Sequence, residues 1–275
     1  MDSEQLNMTP KPTIKIESFV LFGALGDLSI RKLIPAWYYL ERDDKLDDGL
    51  KVLGVGRQEL TRLQFQEKIN DALSTYVSDE YLDVDIISKL LNRFNYCYCD
   101  LQKPDNYLEL SSSLKNWSKP VAYYLAISPR LFESVFDGLN GINVLTSSCR
   151  IVIEKPIGFD LESSKEINAK LLKHFDESQI YRIDHYLGKE TVQNLISLRF
   201  ANSLFSSQWN SKGIDYVEIT AAESVGIGDR WGYFDGMGQL RDMVQSHLLQ
   251  LLCLITMEPP NRLNDQSIRS EKVKV

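Results

Sequence analysis

Six short apolar runs, each followed by a longer helical pattern, constrain what this chain can fold into. The strand-like runs are Ser18 to Phe22, Val52 to Val55, Phe94 to Cys99, Val121 to Ile127, Arg150 to Ile153 and Gln179 to Ile183. Between them, apolar residues recur at helical spacing over Leu28 to Glu41, Leu60 to Tyr76, Tyr81 to Leu91, Asp105 to Asn116, Leu131 to Leu139 and Leu161 to Phe175. Repeated βα units favour a mostly parallel sheet with helices on both faces. Right-handed crossovers then line up the strand C-termini along one edge, where ligands bind. We therefore expect an α/β fold, a Rossmann-like doubly wound parallel sheet, over residues 16–184.

Beyond residue 184 the rhythm changes. A helix is expected from Glu190 to Phe205, then a strand-like run from Tyr216 to Ala221 and a loop holding Gly226, Gly228 and Gly232. A long apolar helix follows from about Gly236 to Met257, and Glu258-Pro259-Pro260 ends it. One edge strand and two amphipathic helices bury little by themselves. Residues 185–275 thus read as the start of a second, α+β domain. Residues 1–15 are polar, lack a signal-peptide core and read as a disordered tail.

The chain has 275 residues, 43% hydrophobic and 25% charged, with a net charge of −7. With no basic tract, this balance argues against non-specific nucleic-acid binding. An acidic protein that holds anions must concentrate its cations locally, which gives weight to clusters of Arg, Lys and His. No apolar run reaches membrane-spanning length, and no membrane partner is expected. Cys97 and Cys99 alternate within one strand-like run; with Cys149 and Cys253 they match no zinc spacing. They read as reduced core thiols of a cytoplasmic protein, and no metal site is expected.

The first strand runs into Gly23-Ala24-Leu25-Gly26-Asp27-Leu28-Ser29. Glycines three apart permit a tight turn and close backbone approach to a phosphate, and the helix behind offers its N-terminus. The third glycine of the common dinucleotide fingerprint is absent, so a ligand-free Gly-rich turn is the alternative. The second strand ends in Gly54-Val55-Gly56-Arg57. An NAD site normally places an acid there, whereas an arginine suits a 2′-phosphate. A solvated surface arginine is the other reading. Val152-Ile153-Glu154-Lys155-Pro156 brings a lysine to the same edge, as ligand or as plain strand-end cation. Ala126-Ile127-Ser128-Pro129 closes the fourth strand there.

The densest chemistry lies in Tyr181-Arg182-Ile183-Asp184-His185-Tyr186-Leu187-Gly188-Lys189-Glu190, where a strand hands over to a helix. His185 and Lys189 beside a helix start resemble an anion clamp, which leaves Asp184 for other work. A general base working near neutral pH favours histidine, and the chain has three. His174, in Lys173-His174-Phe175-Asp176, reads as a surface residue. His247 sits on the apolar helix among Gln239, Arg241, Asp242 and Gln245; it is a satisfied core histidine or a functional one.

These motifs closely resemble the glucose-6-phosphate dehydrogenase family, from about Phe19 to Val275. The resemblance implies hydride transfer from C1 of glucose 6-phosphate to NADP+, with His247 as general base and Asp184 orienting it. It implies His185, Lys189 and Tyr186 at the sugar phosphate, Glu223 and Asp242 at sugar hydroxyls, and Lys155 near C1. Without it, Glu223 reads as a solvated strand-end acid and Asp242 as a helix-surface acid. For the cofactor it implies Gly23, Gly26, Asp27, Leu28, Arg57 and Lys155. Leu25 departs from members that carry a hydroxyl residue there. Family members continue for nearly as long again past Val275. The resemblance therefore implies the N-terminal part of the enzyme, with the rest of an antiparallel sheet and the homo-oligomer interface in the remainder. A non-catalytic NADP-binding remnant is the alternative.

Overall fold

The computed structural model describes residues 15–222, residue 226 and residues 231–275, the Tyr233 side chain excepted. Glu223 and the tail at 1–14 lie outside the described residues. The chain divides into two compact units, the first ending at Ile183 and the second running Asp184–Val275.

The first unit holds one sheet of six strands: β1 (Ser18–Phe22), β2 (Lys51–Gly56), β3 (Phe94–Tyr98), β4 (Val121–Leu125), β5 (Arg150–Glu154) and β6 (Ile180–Ile183). Their order is β3-β2-β1-β4-β5-β6 and every pairing is parallel. The order reverses between β1 and β4, which opens the ligand crevice at their C-terminal ends. The expected α/β fold is thus present.

The helices α1 (Ile34–Arg42), α2 (Arg62–Tyr76) and α3 (Val84–Arg93) belong to one apolar cluster with Leu21, Val52 and Phe94. The helices α4 (Tyr107–Leu114), α5 (Phe132–Gly141) and α6 (Leu161–His174) belong to the other, with Val20, Phe22, Leu53 and Val55. Alternate residues of each strand thus go to opposite faces, as the pleat requires. Capping boxes start α2 at Thr61 and α6 at Asp160. Cys97 and Cys99 share the second cluster, and burial pushes their thiols up to about 11 and 12. His174 departs from expectation. Its side chain is 15% exposed and lies 3.3 Å from Asp137 beside the Phe136 ring, because the helix end turns it inward.

The second unit is helical among the described residues: α7 (Glu190–Phe200), α8 (Ser203–Ser206), α9 (Trp231–Gln239), a π-wound stretch Leu240–Leu248, α10 (Leu249–Thr256) and α11 (Asp265–Lys272). Three expectations fail here. The helix expected over 190–205 breaks at Ala201, and Asn202 caps the short α8. The run at 216–221 forms no strand, and Tyr216 is 79% exposed. An alternating pattern becomes a strand only when a neighbour takes its backbone groups, and none of the described residues does so. The helix expected from Gly236 starts earlier, at Trp231, and is interrupted at Gly238, whose φ of 70° breaks the winding. The C-terminal α11 was not foreseen.

Candidate active site

The first strand's exit shows why glycine is needed there. Gly23 has φ +78°, and a Cβ on it would lie 2.3 Å from the Ala126 carbonyl oxygen at the end of β4. The N–H groups of Gly23 and Ala24 both donate to the Val55 carbonyl, tying the turn to β2. Ser29 Oγ donates to the Gly23 carbonyl at 2.8 Å. The helix ladder begins with Ile30 N–H donating to the Gly26 carbonyl. The N–H groups of Asp27, Leu28 and Ser29 therefore precede it, the donor set that a diphosphate takes. The Gly23 turn, N–H groups with no hydrogen-bond partner among the described residues, and the exposed Arg57 after β2 fit a dinucleotide with a 2′-phosphate. Lys155 follows β5 on the same edge, half-buried, and its bond to Pro156 is cis.

In the second unit the segment after β6 folds into consecutive turns. Tyr186 N–H donates to Asp184 Oδ1 at 2.9 Å, and Leu187 N–H to the Asp184 carbonyl at 3.1 Å. Lys189 is the N-cap of α7. These turns hold Asp184 so that its Oδ1 lies 2.7 Å from Nδ1 of His247, 63 residues away in sequence. His247 is fully buried and Asp184 is 18% exposed. The Tyr186 ring stacks on His247 with centroids 4.3 Å apart and planes 17° apart. His185 meets His247 edge-on at 4.6 Å, and Lys189 Nζ sits 3.8 Å above the Tyr186 ring. Two exposed side chains, His185 and Lys189, thus flank a buried imidazole and its partly buried carboxylate partner.

The pair fixes its own chemistry. With Nδ1–H donated to a carboxylate, Nε2 becomes the basic nitrogen, and the carboxylate stabilises the imidazolium that forms. Asp184, His185 and His247 also each offer one ligand-type atom within 4.8 Å of the others.

Winding places Asp242. Five residues separate it from His247, and in an α-helix they would point about 140° apart. Residues 240–248 are π-wound, which brings positions five apart closer to one face than an α-helix does. Ser246 Oγ donates to the Arg241 carbonyl at 2.8 Å, and Leu249 N–H donates to the Val244 carbonyl, both across five residues. Sequence periodicity does not separate this winding from an ordinary helix. Lys272, also not singled out, is half-buried with Nζ 2.9 Å from Gln250 Oε1. Burial lowers its pKa, opposed by the charges of Cys253 and Asp184.

Residues 20–194 match the family described as "Glucose-6-phosphate dehydrogenase, NAD binding domain", and residues 196–275 its "Glucose-6-phosphate dehydrogenase, C-terminal domain". The chain belongs to the glucose-6-phosphate dehydrogenase family. It is 46% identical over 263 residues to the glucose-6-phosphate 1-dehydrogenase of Zymomonas mobilis, covering 96% of this chain and 54% of that one. The Dickeya dadantii enzyme is 44% identical over 268 residues, with 98% and 54% covered. A crystal structure of the Mycobacterium avium enzyme superposes with a TM-score of 0.85 at 34% identity, covering 95% of this chain and 57% of that one. A glucose-6-phosphate dehydrogenase solved with its substrate glucose-6-phosphate gives a TM-score of 0.85 at 36% identity, with 95% and 56% covered. The chain spans about half the length of the curated relatives it matches.

Proposed function

We propose that this chain serves a glucose-6-phosphate 1-dehydrogenase, oxidising C1 of glucose 6-phosphate with NADP+ to give the lactone and NADPH. The observation that carries this reading is the fully buried His247 held by Asp184 at 2.7 Å, with His185 and Lys189 beside it. Oxidation of a hemiacetal removes a hydride from C1 and a proton from its hydroxyl. His247 Nε2 takes the proton, and Asp184 holds the tautomer and balances the imidazolium. His185 and Lys189, with Tyr186 beneath Lys189, hold the 6-phosphate. Asp242 and Glu223 hold sugar hydroxyls, and Lys155 serves the substrate. Gly23, Gly26, Asp27 and Leu28 cradle the diphosphate, Lys155 serves the cofactor as well, and Arg57 takes the 2′-phosphate. Bound there, the nicotinamide supplies the hydride acceptor. The enzyme acts in the cytoplasm, and homo-oligomerisation belongs to the full-length family.

The test separates two histidines. His247→Asn in the purified enzyme should lower kcat by about 10²–10⁴-fold, the usual share of a general base, with little change in KM for the sugar phosphate. His185→Ala should mainly raise that KM. Steady-state rates of NADPH formation decide. Equal changes of both parameters in both variants would overturn the division of labour.

A further inference from the structure

The Gly54-Val55-Gly56 run ends β2 just before Arg57, and each of its glycines lies against an aromatic ring. A Cβ on Gly54 would stand 2.5 Å from Phe65 Cζ, and one on Gly56 would stand 2.6 Å from the Tyr96 hydroxyl. The two rings pack on each other with centroids 4.8 Å apart. Tyr96 on β3 pairs with Gly54 in register, so its side chain runs along β2, over Gly56 and past the end of the strand. There its hydroxyl donates to the Gln58 carbonyl at 2.8 Å. The glycines make room for this ring pair, and the ring pair reaches the residue after Arg57.

That bond sits where the backbone has little else to hold it. The Gly56 carbonyl accepts from Cys99 N–H, the last ladder bond of β2. At Thr61 the capping box of α2 takes over. Between them, among the described residues, the phenol is the one tertiary donor to backbone, and Arg57 lies in this stretch. Burial pushes the Tyr96 hydroxyl up to about 12, so it stays protonated and able to donate at physiological pH. Where a side chain can point is set by its own φ and ψ. Pinning the next carbonyl therefore restricts where Arg57 aims.

We infer that Tyr96 is a positioning residue for recognition of a 2′-phosphorylated adenosine: its hydroxyl fixes the Gln58 carbonyl and thereby aims Arg57. This rests on the reading of Arg57 as the 2′-phosphate ligand. Tyr96 need not touch the cofactor. It turns a flexible cation into a preorganised one, so less side-chain freedom is lost on binding.

The experiment measures affinity by calorimetry for 2′,5′-ADP and for 5′-AMP, which lacks the 2′-phosphate, in the wild type, Tyr96→Phe, Arg57→Ala and the double variant. Tyr96→Phe should weaken 2′,5′-ADP about three- to tenfold, the range of one hydrogen bond, and leave 5′-AMP unchanged. In the Arg57→Ala background it should cause no further loss, because the two residues act as one unit. Gly56→Ala, which displaces the phenol while keeping the hydroxyl, should shift 2′,5′-ADP in the same direction. If Arg57→Ala lowers the 2′,5′-ADP preference but Tyr96→Phe does not, the inference is wrong and the Arg57 reading stands. Equal weakening of both nucleotides by Tyr96→Phe, or additive losses in the double variant, also overturns it. If Arg57→Ala leaves the preference intact, the Arg57 reading falls and the inference with it.

Discussion

Arg93 and Arg199 are each only 6% exposed, one in each unit, and they are satisfied in different ways. Arg93, at the end of α3, forms a fork on the Glu41 carboxylate, with Nε on Oε2 and Nη2 on Oε1 at 3.1 Å. Its Nη1 also reaches the carbonyls of Asp47 and Leu50. Arg199, in α7, meets no carboxylate at bonding distance among the described residues. Its Nη1 donates to the Leu254 carbonyl at 2.6 Å and its Nη2 to the Met257 carbonyl at 2.9 Å, while Nε has no partner among the described residues. Its guanidinium lies over the Phe200 and Trp209 rings. The surroundings differ as much. The first unit has two large apolar clusters, one on each face of its sheet. The buried cluster of the second is Val192, Leu254 and Met257. Apolar burial is the main favourable term in folding. The first unit thus has a scaffold independent of its ion pair, whereas the second depends more on a few directional polar contacts. The Asp184–His247 pair is one of them.

The largest effect should follow from breaking that pair. Asp184→Asn keeps the shape and removes the charge that selects the tautomer and balances the imidazolium. We expect kcat to fall by about 10²-fold or more, with the pH optimum shifted, since a general base of this kind contributes about 10²–10⁴. Far-UV circular dichroism should be unchanged. Asp184→Ala should in addition destabilise the second unit, because it leaves the buried His247 Nδ1–H without its acceptor. A kcat for Asp184→Asn within a few-fold of wild type would exclude the dyad.

Next in size is the ion pair of the first unit. Arg93→Met leaves the Glu41 carboxylate, 1% exposed, with the half-exposed Lys89 at 3.0 Å as its remaining ionic partner, and should destabilise by about 3 kcal/mol in chemical denaturation. The double variant Glu41→Leu, Arg93→Met should recover most of that loss, since apolar pairs of similar volume replace buried ion pairs at little cost. Burial raises the Glu41 pKa, but hydrogen bonds from Arg93 and Lys89 outweigh it and leave the pKa lowered. A carboxylate lowered by folding stabilises above its unfolded value. That contribution should therefore hold at neutral pH, start to fall near the unfolded value of about 4.3, and be lost as acid carries the solution through the lowered folded value. A double variant no more stable than Arg93→Met would mean that the apolar clusters cannot absorb the change.

The same contrast explains what was legible in the sequence. The strands of the first unit follow from apolar runs bounded by turn residues, and their observed ends fall within two residues of the expected ones at every strand. Periodic burial is written locally, so a window of residues reveals it. Asp184 and His247 are 63 residues apart and no periodicity links them; their pairing was anticipated only through family resemblance. Tyr96 to Gln58 crosses 38 residues and ends on a backbone carbonyl, which carries no residue-type signal. The π-winding at 240–248 hides for another reason. Apolar residues spaced for an α-helix also serve a slightly wider one, and the hydrogen bonds that distinguish them leave no mark in composition.

The smallest effect is expected at Arg199, and it asks whether capping bonds do carry the second unit. A helix leaves its last carbonyls without intrahelical donors. At the end of α10 three of them are answered by side chains: Leu254 and Met257 by Arg199, and Ile255 by Trp209 Nε1 at 2.8 Å. Arg199→Met keeps most of the buried stem and removes two of the three donors. Water can replace part of them, because the freed carbonyls lie at a helix end. The loss should therefore stay at about 1–3 kcal/mol, the range for a buried acceptor left unsatisfied. It should be local: amide exchange should speed up across 249–257 in the second unit and stay unchanged in β1 to β6. The π-wound segment runs directly into α10, so kcat should fall by a few-fold while cofactor affinity is unaffected. Arg199→Lys should rescue little, since one ammonium cannot span both carbonyls as the guanidinium fork does. Unchanged exchange across 249–257 in Arg199→Met would show that the small apolar cluster suffices.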